Sequence, residues 1–165
     1  MTQTGSERIA ELTSQETRLV LGSFDHAAAW RLGTLMVERA LRQDASIIID
    51  IRRTAMVLFR SALAGTTAEN QAWLERKART VLHFETSTAL LDARSAAQGV
   101  DLWTAAWFDT RTFAAAGGSF PVRVRGVGVV AAVTVSGLTS DEDHDFVVES
   151  LESYLREEDS SAEDR

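Results

Sequence analysis

Cysteine is absent from the 165 residues of this chain. Structural disulfides and thiolate metal sites are therefore excluded, and the composition is typical of a protein from a reducing compartment. No apolar run approaches the roughly 18 residues that a membrane span needs, and the opening sequence, MTQTGSERIAEL, lacks the apolar stretch of a secretion signal. We expect a cytoplasmic protein that has no membrane as its partner.

Basic residues are also scarce, since 17 lysines and arginines stand against 24 acids, for a net charge of −7 at pH 7. Phosphate binding needs clustered Lys and Arg, so this balance argues against nucleic acid as the main partner. Part of the acidic excess lies in residues 156–165, where five acids accompany two arginines. We expect one domain over residues 1–155, followed by an acidic disordered tail over residues 156–165.

The most specific segment is residues 117–137, GGSFPVRVRGVGVVAAVTVSG, in which two valine-rich runs meet at Gly126. It predicts a β-hairpin, because β-branched residues dominate and the chain's one proline, Pro121, stands where the first strand begins. In the second run, alternation places small residues on one face: Gly128, Val130, Ala132, Thr134 and Ser136. A packed helix, a second subunit or a flat ligand can approach such a face closely, and helix packing is the simplest interpretation.

The same hairpin contains a false lead. Gly126, Gly128 and Ala131 match GxGxxA, a form of the dinucleotide-binding fingerprint. That fingerprint must end a strand and begin a helix, whereas the run here continues as the strand-like VVAAVTVSG. Nucleotide binding through this motif is therefore rejected.

The rest of the chain alternates helical and strand patterns. Helical spacing and capping residues predict helices at the positions 7–15, 26–43, 68–84, 87–98 and from the Thr139–Glu142 capping pair onwards. Strands are predicted at 18–21, 46–52 and 55–62, the last two around a tight turn at Arg53 and Thr54. The segment 46–52 is apolar on both faces, which is typical of a strand covered on both sides. We therefore expect an α/β (α+β) domain with helices on both sides of an antiparallel sheet.

Two charged residues stand in apolar surroundings. Asp50 lies within an isoleucine-rich strand, where a buried carboxylate needs a partner, and Arg52 is on the same face. Lys77 projects into the apolar half of its helix, between Trp73 and Val81. It either extends its ammonium past Trp73 to water, or directs it into a pocket to meet Asp50 or a ligand carboxylate. The Asp50–Arg52 pair is either structural or part of a ligand site.

No catalytic or metal-binding motif accompanies these charges. The three histidines, His26, His83 and His144, show no metal-ligand spacing. The sequence therefore does not tell which of them, if any, ligates haem iron. The acids of DEDHD, residues 141–145, suit the N-terminus of a helix. Ser136 has no GxSxG context, so no nucleophile is indicated.

With the blocks ALAGTTAENQAWLERKARTV (62–81), GGSFPV (117–122) and GVVAAVTVSG (128–137), the chain resembles the GlcG-like, haem-degrading-domain family, in its small stand-alone branch of bacteria and fungi. The resemblance spans residues 18–155. It implies a profilin-like, three-layer α/β/α domain with a five-stranded antiparallel sheet, which assembles into homo-oligomers. It also implies haem or another small organic ligand.

Three hypotheses follow. The first is an oligomer that binds haem or a similar carboxylate-bearing molecule, with Lys77, Arg52 or Arg76 meeting carboxylates and Trp73 or Phe59 providing an apolar wall. The second is an enzyme that degrades haem or acts on a small organic acid, and the third is a structural or adaptor oligomer. The candidate ligand-binding residues are Asp50, Arg52, Phe59, Trp73, Arg76, Lys77, Gly118, Phe120 and Ser136.

Overall fold

The computed structural model describes residues 5–163. Within that range the elements, in chain order, are α1 (Gly5–Arg18), β1 (Val20–Leu21), α2 (His26–Arg42), β2 (Ile48–Arg53), β3 (Met56–Ala62), α3 (Ala68–Phe84), α4 (Thr88–Ala97), β4 (Ser119–Val124), β5 (Gly128–Ser136) and α5 (Ser140–Glu163). The predicted helices and strands are therefore present, with ends shifted by a few residues.

The strands form one sheet in the order β1-β4-β5-β2-β3. Three of its pairs are antiparallel, including the predicted β2–β3 and β4–β5 hairpins, but β1 pairs with β4 in parallel. The sheet is therefore mixed, and the prediction of a purely antiparallel sheet is wrong at this edge. Most of the domain separates β1 from β4 in sequence, so no hairpin turn forces an antiparallel direction on this pair.

Helices cover both faces of the sheet, as predicted. α2 and α5 pack on one face, where the main hydrophobic core lies, and α3 packs on the other. In β5 the side chains of Val133 and Val135 join the main core, whereas Ala132 and Thr134 lie beneath α3. Helix packing is thus confirmed for Ala132 and Thr134 of the predicted small-residue face, whereas Gly128 is exposed and Val130 packs against the main core.

The helix starts follow the predicted capping chemistry. The Asp25 carboxylate accepts a hydrogen bond from the Ala28 N–H at 2.7 Å and caps α2. At the start of α5, the Glu142 carboxylate accepts from the backbone N–H and the hydroxyl of Thr139, and the Glu142 N–H donates to that hydroxyl. Both interactions satisfy backbone N–H groups that a helix start leaves unpaired.

The aromatic region between α4 and β4 is built from turns. Its apolar side chains form a second, smaller core of Leu102, Phe108 and Ala115, against which Phe84 of α3 packs. This segment therefore attaches to the α3 side of the sheet.

The last helix is longer than expected. α5 continues to Glu163, so the segment predicted as a disordered tail, 156–165, is helical up to that residue, and the final two residues lie outside the described range. The boundary of the domain stays a prediction. Among residues 5–163, no helix combines the length and apolar character needed to cross a membrane.

Candidate functional site

Beneath α3 lies a closed group of four charged side chains, here called the ion-pair ring: Asp50, Arg52, Arg60 and Glu75. Asp50 is fully buried and accepts hydrogen bonds from Arg52 Nε at 2.5 Å and from Arg60 Nε at 2.8 Å. Glu75 of α3 accepts from the same two guanidiniums, at 2.6 and 3.1 Å from Arg52 and at 2.7 Å from Arg60. The ring joins β2, β3 and α3.

The ring is neutral overall, because two carboxylates face two guanidiniums. The hydrogen bond from Arg52 is the main reason why the pKa of Glu75 falls to about 2, and burial opposes that shift. Burial alone would lower the pKa of Arg52, but hydrogen bonds to Glu75 and Asp50 outweigh it and raise that pKa. The resolved shifts of Glu75, Arg52 and Arg60 thus all favour the charged forms, and the predicted Asp50–Arg52 pair is confirmed.

The second charged feature under α3 is the pair of Lys77 and Asp143, here called the buried lysine pair. Lys77 Nζ donates to Asp143 Oδ2 at 2.8 Å, to the Gly117 carbonyl at 2.8 Å and to the Val135 carbonyl at 3.1 Å. The two side chains are only 4% and 2% exposed. Lys77 is the only lysine of the chain, and all three donors of its ammonium are satisfied inside the protein.

Burial shifts both members of this pair towards their neutral forms. It lowers the pKa of Lys77, and the attraction of Asp143 offsets that shift only in part. It also raises the pKa of Asp143, against the attraction of Lys77. The pair therefore differs from the ion-pair ring, in which the resolved shifts favour the charged forms.

A glycine makes the close packing around Lys77 feasible. Gly118 has a φ of +116°, and a Cβ built there would lie 2.7 Å from the Asp143 Cβ and 2.9 Å from Lys77 Nζ. A side chain at this position would therefore be strained and would collide with the pair. The predicted role of Gly118 at a ligand site reduces here to contact with Lys77 and Asp143.

The buried lysine pair borders a cavity of about 310 Å³, here called the α3–α5 cavity. It is lined by Glu69, Asn70, Trp73, Lys77, Ala116, Ser136, Gly137, Leu138, Ser140 and Asp143. One indole and several polar groups thus surround a space that matches the lower end of the size range of small-molecule sites.

An aromatic and cationic pair stands beside this cavity. The Arg76 guanidinium lies over the Trp73 ring, 4.2 Å from its centroid, and donates through Nη1 to the Thr110 carbonyl at 3.0 Å. The half-exposed indole of Trp103 meets Trp73 edge-on at 5.8 Å. Within the described part of the chain, Arg76 forms no ion pair, so its charge is not neutralised by a carboxylate.

The structure brings together some of the predicted site residues and separates others. Trp73, Lys77 and Ser136 line the α3–α5 cavity, while Arg76 and Gly118 adjoin it. Asp50 and Arg52 lie under the same helix but are engaged in the ion-pair ring.

Two predicted residues belong to the opposite face of the sheet. Phe59 packs on Gly33 of α2 and meets Trp30 edge-on at 5.7 Å, and Phe120 is buried in the main core. Of the two residues predicted as an apolar wall, Trp73 or Phe59, only Trp73 lines the α3–α5 cavity. Alternation in a strand tells which residues share a face of the sheet, but the sequence alone does not tell which of the two faces meets α3.

Of the alternatives left open for Lys77, neither extension to water nor contact with Asp50 is observed, because its buried ammonium pairs with Asp143. Asp143 was interpreted only as a residue favoured by the helix N-terminus, and Glu75 and Arg60 were missed. Arg60 stands opposite Asp50 because a β-bulge between Ile51 and Arg52 shifts the hairpin register. The regular register of a two-residue turn would have put Phe59 there, so only the bulge brings Arg60 into the ring.

None of the three histidines lines the cavity. His26 and His83 are exposed, and His144 is buried with Nε2 2.8 Å from the Gln15 side-chain oxygen. Burial lowers the pKa of His144 to about 4, so its ring is neutral at physiological pH. Within residues 5–163, no cluster of three or more His, Asp or Glu residues is arranged to hold a metal ion.

A second space, larger and without any of the predicted residues, lies between α1, α4 and β4. This groove has a volume of about 680 Å³ and is lined by Thr13, Glu16, Thr17, Val20, Phe84, Glu85, Thr86, Leu90, Leu91, Arg94 and Arg123. Arg123 is paired with Glu16 at 3.2 Å, and the Arg94 guanidinium donates to the Thr13 hydroxyl at 3.4 Å. This groove is the main alternative to the α3–α5 cavity as a ligand site.

Comparison with known proteins agrees with this fold. A UPF0303 protein of Streptomyces coelicolor is 46% identical over 149 residues, which cover 90% of this chain and 94% of that protein. The crystal structure of the Ybr137w protein matches with a TM-score of 0.82 and 26% identity, over 91% of this chain and 89% of that one. A crystal structure of a PduOC–haem complex matches with a TM-score of 0.67 and 16% identity, over 80% of this chain and 94% of that one, and shows likeness of fold alone.

The family model for haem-degrading proteins of the HbpS-like type matches residues 24–152. That range contains the ion-pair ring, the buried lysine pair and the β4–β5 hairpin. The resemblance drawn from the sequence is thereby confirmed, and the chain belongs to the HbpS-like haem-degrading protein family.

Proposed function

We propose that this protein is a cytoplasmic homo-oligomer that binds haem or a similar small, carboxylate-bearing organic molecule beside α3. Membership of a haem-degrading family supports a haem-related role, and a fold relative has been crystallised in complex with haem. The absence of cysteine supports a reducing compartment.

The observation that carries the proposal is the Trp73–Arg76 pair at the α3–α5 cavity. A half-buried indole offers an apolar wall, and the guanidinium over it retains N–H donors beyond the bonds to Thr110 and Ala72. Arg–carboxylate hydrogen bonds are charge-assisted and directional. The pair therefore combines the two kinds of contact that a flat acid requires.

Arg76 replaces Lys77 and Arg52 as the preferred carboxylate partner. The ammonium of Lys77 already has three acceptors, and Arg52 donates to both carboxylates of the ion-pair ring. A ligand carboxylate would have to break internal bonds to reach either of them. Arg76 can bind a carboxylate without that loss.

Titration with haemin tests the proposal. Wild-type protein at micromolar concentration is expected to give a saturable, shifted Soret band, which Trp73→Ala abolishes or weakens by at least about tenfold. Trp30→Ala is the matched control, because Trp30 is 63% exposed and lies over Phe59 on the other side of the sheet. An unchanged spectrum of free haemin contradicts the proposal. Weaker binding in Arg94→Gln, with no effect of Trp73→Ala, assigns the ligand instead to the groove between α1, α4 and β4.

We propose that the copies of the homo-oligomer meet at β3. This strand is an edge of the sheet, its single charge, Arg60, points into the ion-pair ring, and Met56 and Val57 are exposed. Edge strands of monomers are commonly protected by lysine, proline or a cover, and β3 has no lysine or proline. A second copy of the chain can pair with such an edge.

Light scattering tests this contact with Val57→Lys, which is expected to reduce the mass of the assembly by at least half. Val127→Lys is the control, since Val127 is 71% exposed at the β4–β5 turn and away from the β3 edge. A monomeric wild-type protein contradicts the homo-oligomer. A wild-type oligomer whose mass Val57→Lys leaves unchanged moves the contact elsewhere.

A further inference from the structure

The chain carries a single side-chain amine, and this amine is buried at a cavity wall instead of lying on the surface. Lys77 is the only lysine, its side chain is 4% exposed, and it lines the α3–α5 cavity. Lysines are ordinarily surface residues whose charge stays in water. A buried lysine at a cavity wall is the arrangement in which an amine acts as base or nucleophile.

The partner of this amine is suited to proton exchange. Asp143 Oδ2 lies 2.8 Å from Nζ, within direct transfer distance, and Asp143 borders the same cavity. Burial moves the pKa of Lys77 down and that of Asp143 up, so transfer of one proton gives a neutral amine beside a neutral acid.

The backbone keeps the neutral amine in position. After the transfer, its two N–H groups can still donate to the carbonyls of Gly117 and Val135, which hold Nζ at 2.8 and 3.1 Å. The lone pair then faces Asp143, which lines the cavity together with Lys77. The ion-pair ring cannot provide a neutral amine in this way, because its cations are guanidiniums, which stay protonated.

The cavity also holds groups that can receive an acid. The Ser140 hydroxyl accepts from the Gly117 N–H at 2.6 Å, which leaves its own O–H free to donate, and Ser136 lines the same space. The N-terminus of α5 begins at Ser140, and its dipole favours negative charge there.

We propose that Lys77 forms an imine with a small 2-oxo acid bound in the α3–α5 cavity. This inference rests on the proposed function in one respect, since it uses the same cavity as a ligand site. Among the proposed ligands it selects small carbonyl compounds with a carboxylate rather than haem, and it assigns Lys77 as the nucleophile and Asp143 as the proton carrier.

The step balances without any oxidant or reductant. The Lys77 ammonium passes one proton to the Asp143 carboxylate, and the Nζ lone pair attacks the keto carbon while the C=O π electrons move to oxygen. That oxygen takes the proton which the new C–N nitrogen gives up, so the carbinolamine is neutral. The Asp143 carboxyl then protonates the hydroxyl, the C–O bond breaks, water leaves, and the nitrogen lone pair forms C=N. One carbonyl and one ammonium have become one iminium and one water, and Asp143 is a carboxylate again.

The test uses the full-length wild-type protein, pyruvate as the probe and cyanoborohydride to trap any imine as a stable secondary amine. Peptide mapping by mass spectrometry locates the adduct, and the chain offers only two aliphatic amines, Lys77 and its own α-amine. At pH 7 an ordinary exposed lysine is neutral in roughly one molecule in a few thousand, so an unactivated Lys77 would react far more slowly than the α-amine. We expect Lys77 to be modified at least as fast as the α-amine.

Two variants sharpen the result. Lys77→Arg is expected to remove the adduct, and Asp143→Asn to slow its formation by roughly tenfold or more through loss of the proton carrier. Asp141→Asn is the matched control, because Asp141 is exposed in the same first turn of α5. The wild-type map decides the question even if a variant folds poorly.

An adduct confined to the α-amine, or no adduct, overturns the inference. Haemin binding that depends on Trp73 in a protein whose Lys77 stays unmodified would leave the proposed function standing and the imine rejected. A Lys77 adduct in a protein that ignores haemin would support the inference and contradict the haem part of the proposed function.

Discussion

The ion-pair ring and the buried lysine pair lie under the same helix, yet they use charge differently. In the ring, two guanidiniums and two carboxylates saturate one another, and Glu75 has a pKa of about 2. In the lysine pair, burial drives both groups towards neutrality beside an open cavity. The closed network joins α3 to β2 and β3, whereas at the cavity wall burial favours the neutral forms of Lys77 and Asp143.

The largest expected effect comes from opening the ring at its centre. Asp50→Ala removes the fully buried acceptor of two guanidiniums and is expected to destabilise the protein by about 3–5 kcal/mol. Urea denaturation measures the change in the free energy of unfolding. Asp141→Ala, at an exposed acid, should change it by less than about 1 kcal/mol. Similar losses in the two variants would mean that the ring does not anchor α3.

A smaller loss is expected when the lysine pair is broken. Lys77→Met leaves Asp143 buried without its cation. Because the pKa of this carboxyl is already raised, it avoids part of the cost of burial by taking up a proton. We expect the free energy of unfolding to fall by about 2–3 kcal/mol near pH 7. The double variant Lys77→Met, Asp143→Leu should recover part of this loss. Equal stabilities of the single and double variants would contradict a coupled pair.

The stability of Lys77→Met relative to the wild type is also expected to depend on pH. The folded-state pKa of Asp143 is raised above its unfolded value, so the unpaired carboxyl favours folding most strongly in acid and loses that contribution as pH rises through the folded-state pKa. The variant should therefore approach wild-type stability at low pH and fall below it towards neutral pH. Unfolding curves over pH 4–8 measure this trend, and a gap that widens in acid would contradict it.

The smallest effect concerns the outer carboxylate of the ring. The pKa of Glu75 is lowered from 4.5 to about 2, so it contributes stability that is complete above the unfolded pKa and is lost as pH falls through the folded one. Because its side chain is 25% exposed, we expect only about 1–2 kcal/mol, seen as a loss between pH 5 and 2.5 that Glu75→Gln lacks. If the free energy of unfolding fell equally with pH in the wild type and in Glu75→Gln, this role of Glu75 would be contradicted.

Much of the fold was predictable from local pattern. The valine alternation of the β4–β5 hairpin and the capping residues Asp25 and Glu142 each depend on neighbours in sequence, and each prediction is confirmed. The parallel β1–β4 pair was not predictable, because it joins segments about a hundred residues apart with no turn to set their direction.

The candidate site was predictable only in part, for the same reason. Helical projection placed Lys77 and Trp73 together, and strand alternation paired Asp50 with Arg52. The Lys77–Asp143 contact spans 66 residues and depends on how α5 begins over Gly118, which no local pattern reveals. Phe59 was misplaced because alternation separates two faces of a strand without telling which one α3 covers.

The most direct measurement is a side-by-side haemin titration of wild-type protein, Arg76→Gln and Glu75→Gln. The two residues are neighbours on α3, and Arg76 adjoins the cavity while Glu75 belongs to the ring. We expect Arg76→Gln to weaken haemin binding by at least about tenfold, through loss of a charge-assisted hydrogen bond, and Glu75→Gln to bind like the wild type. Arg79→Gln, an exposed arginine on the same helix, should also bind normally. Binding that is lost in Glu75→Gln and kept in Arg76→Gln, or a wild type that leaves the haemin spectrum unchanged, would contradict a ligand site at the Trp73–Arg76 pair.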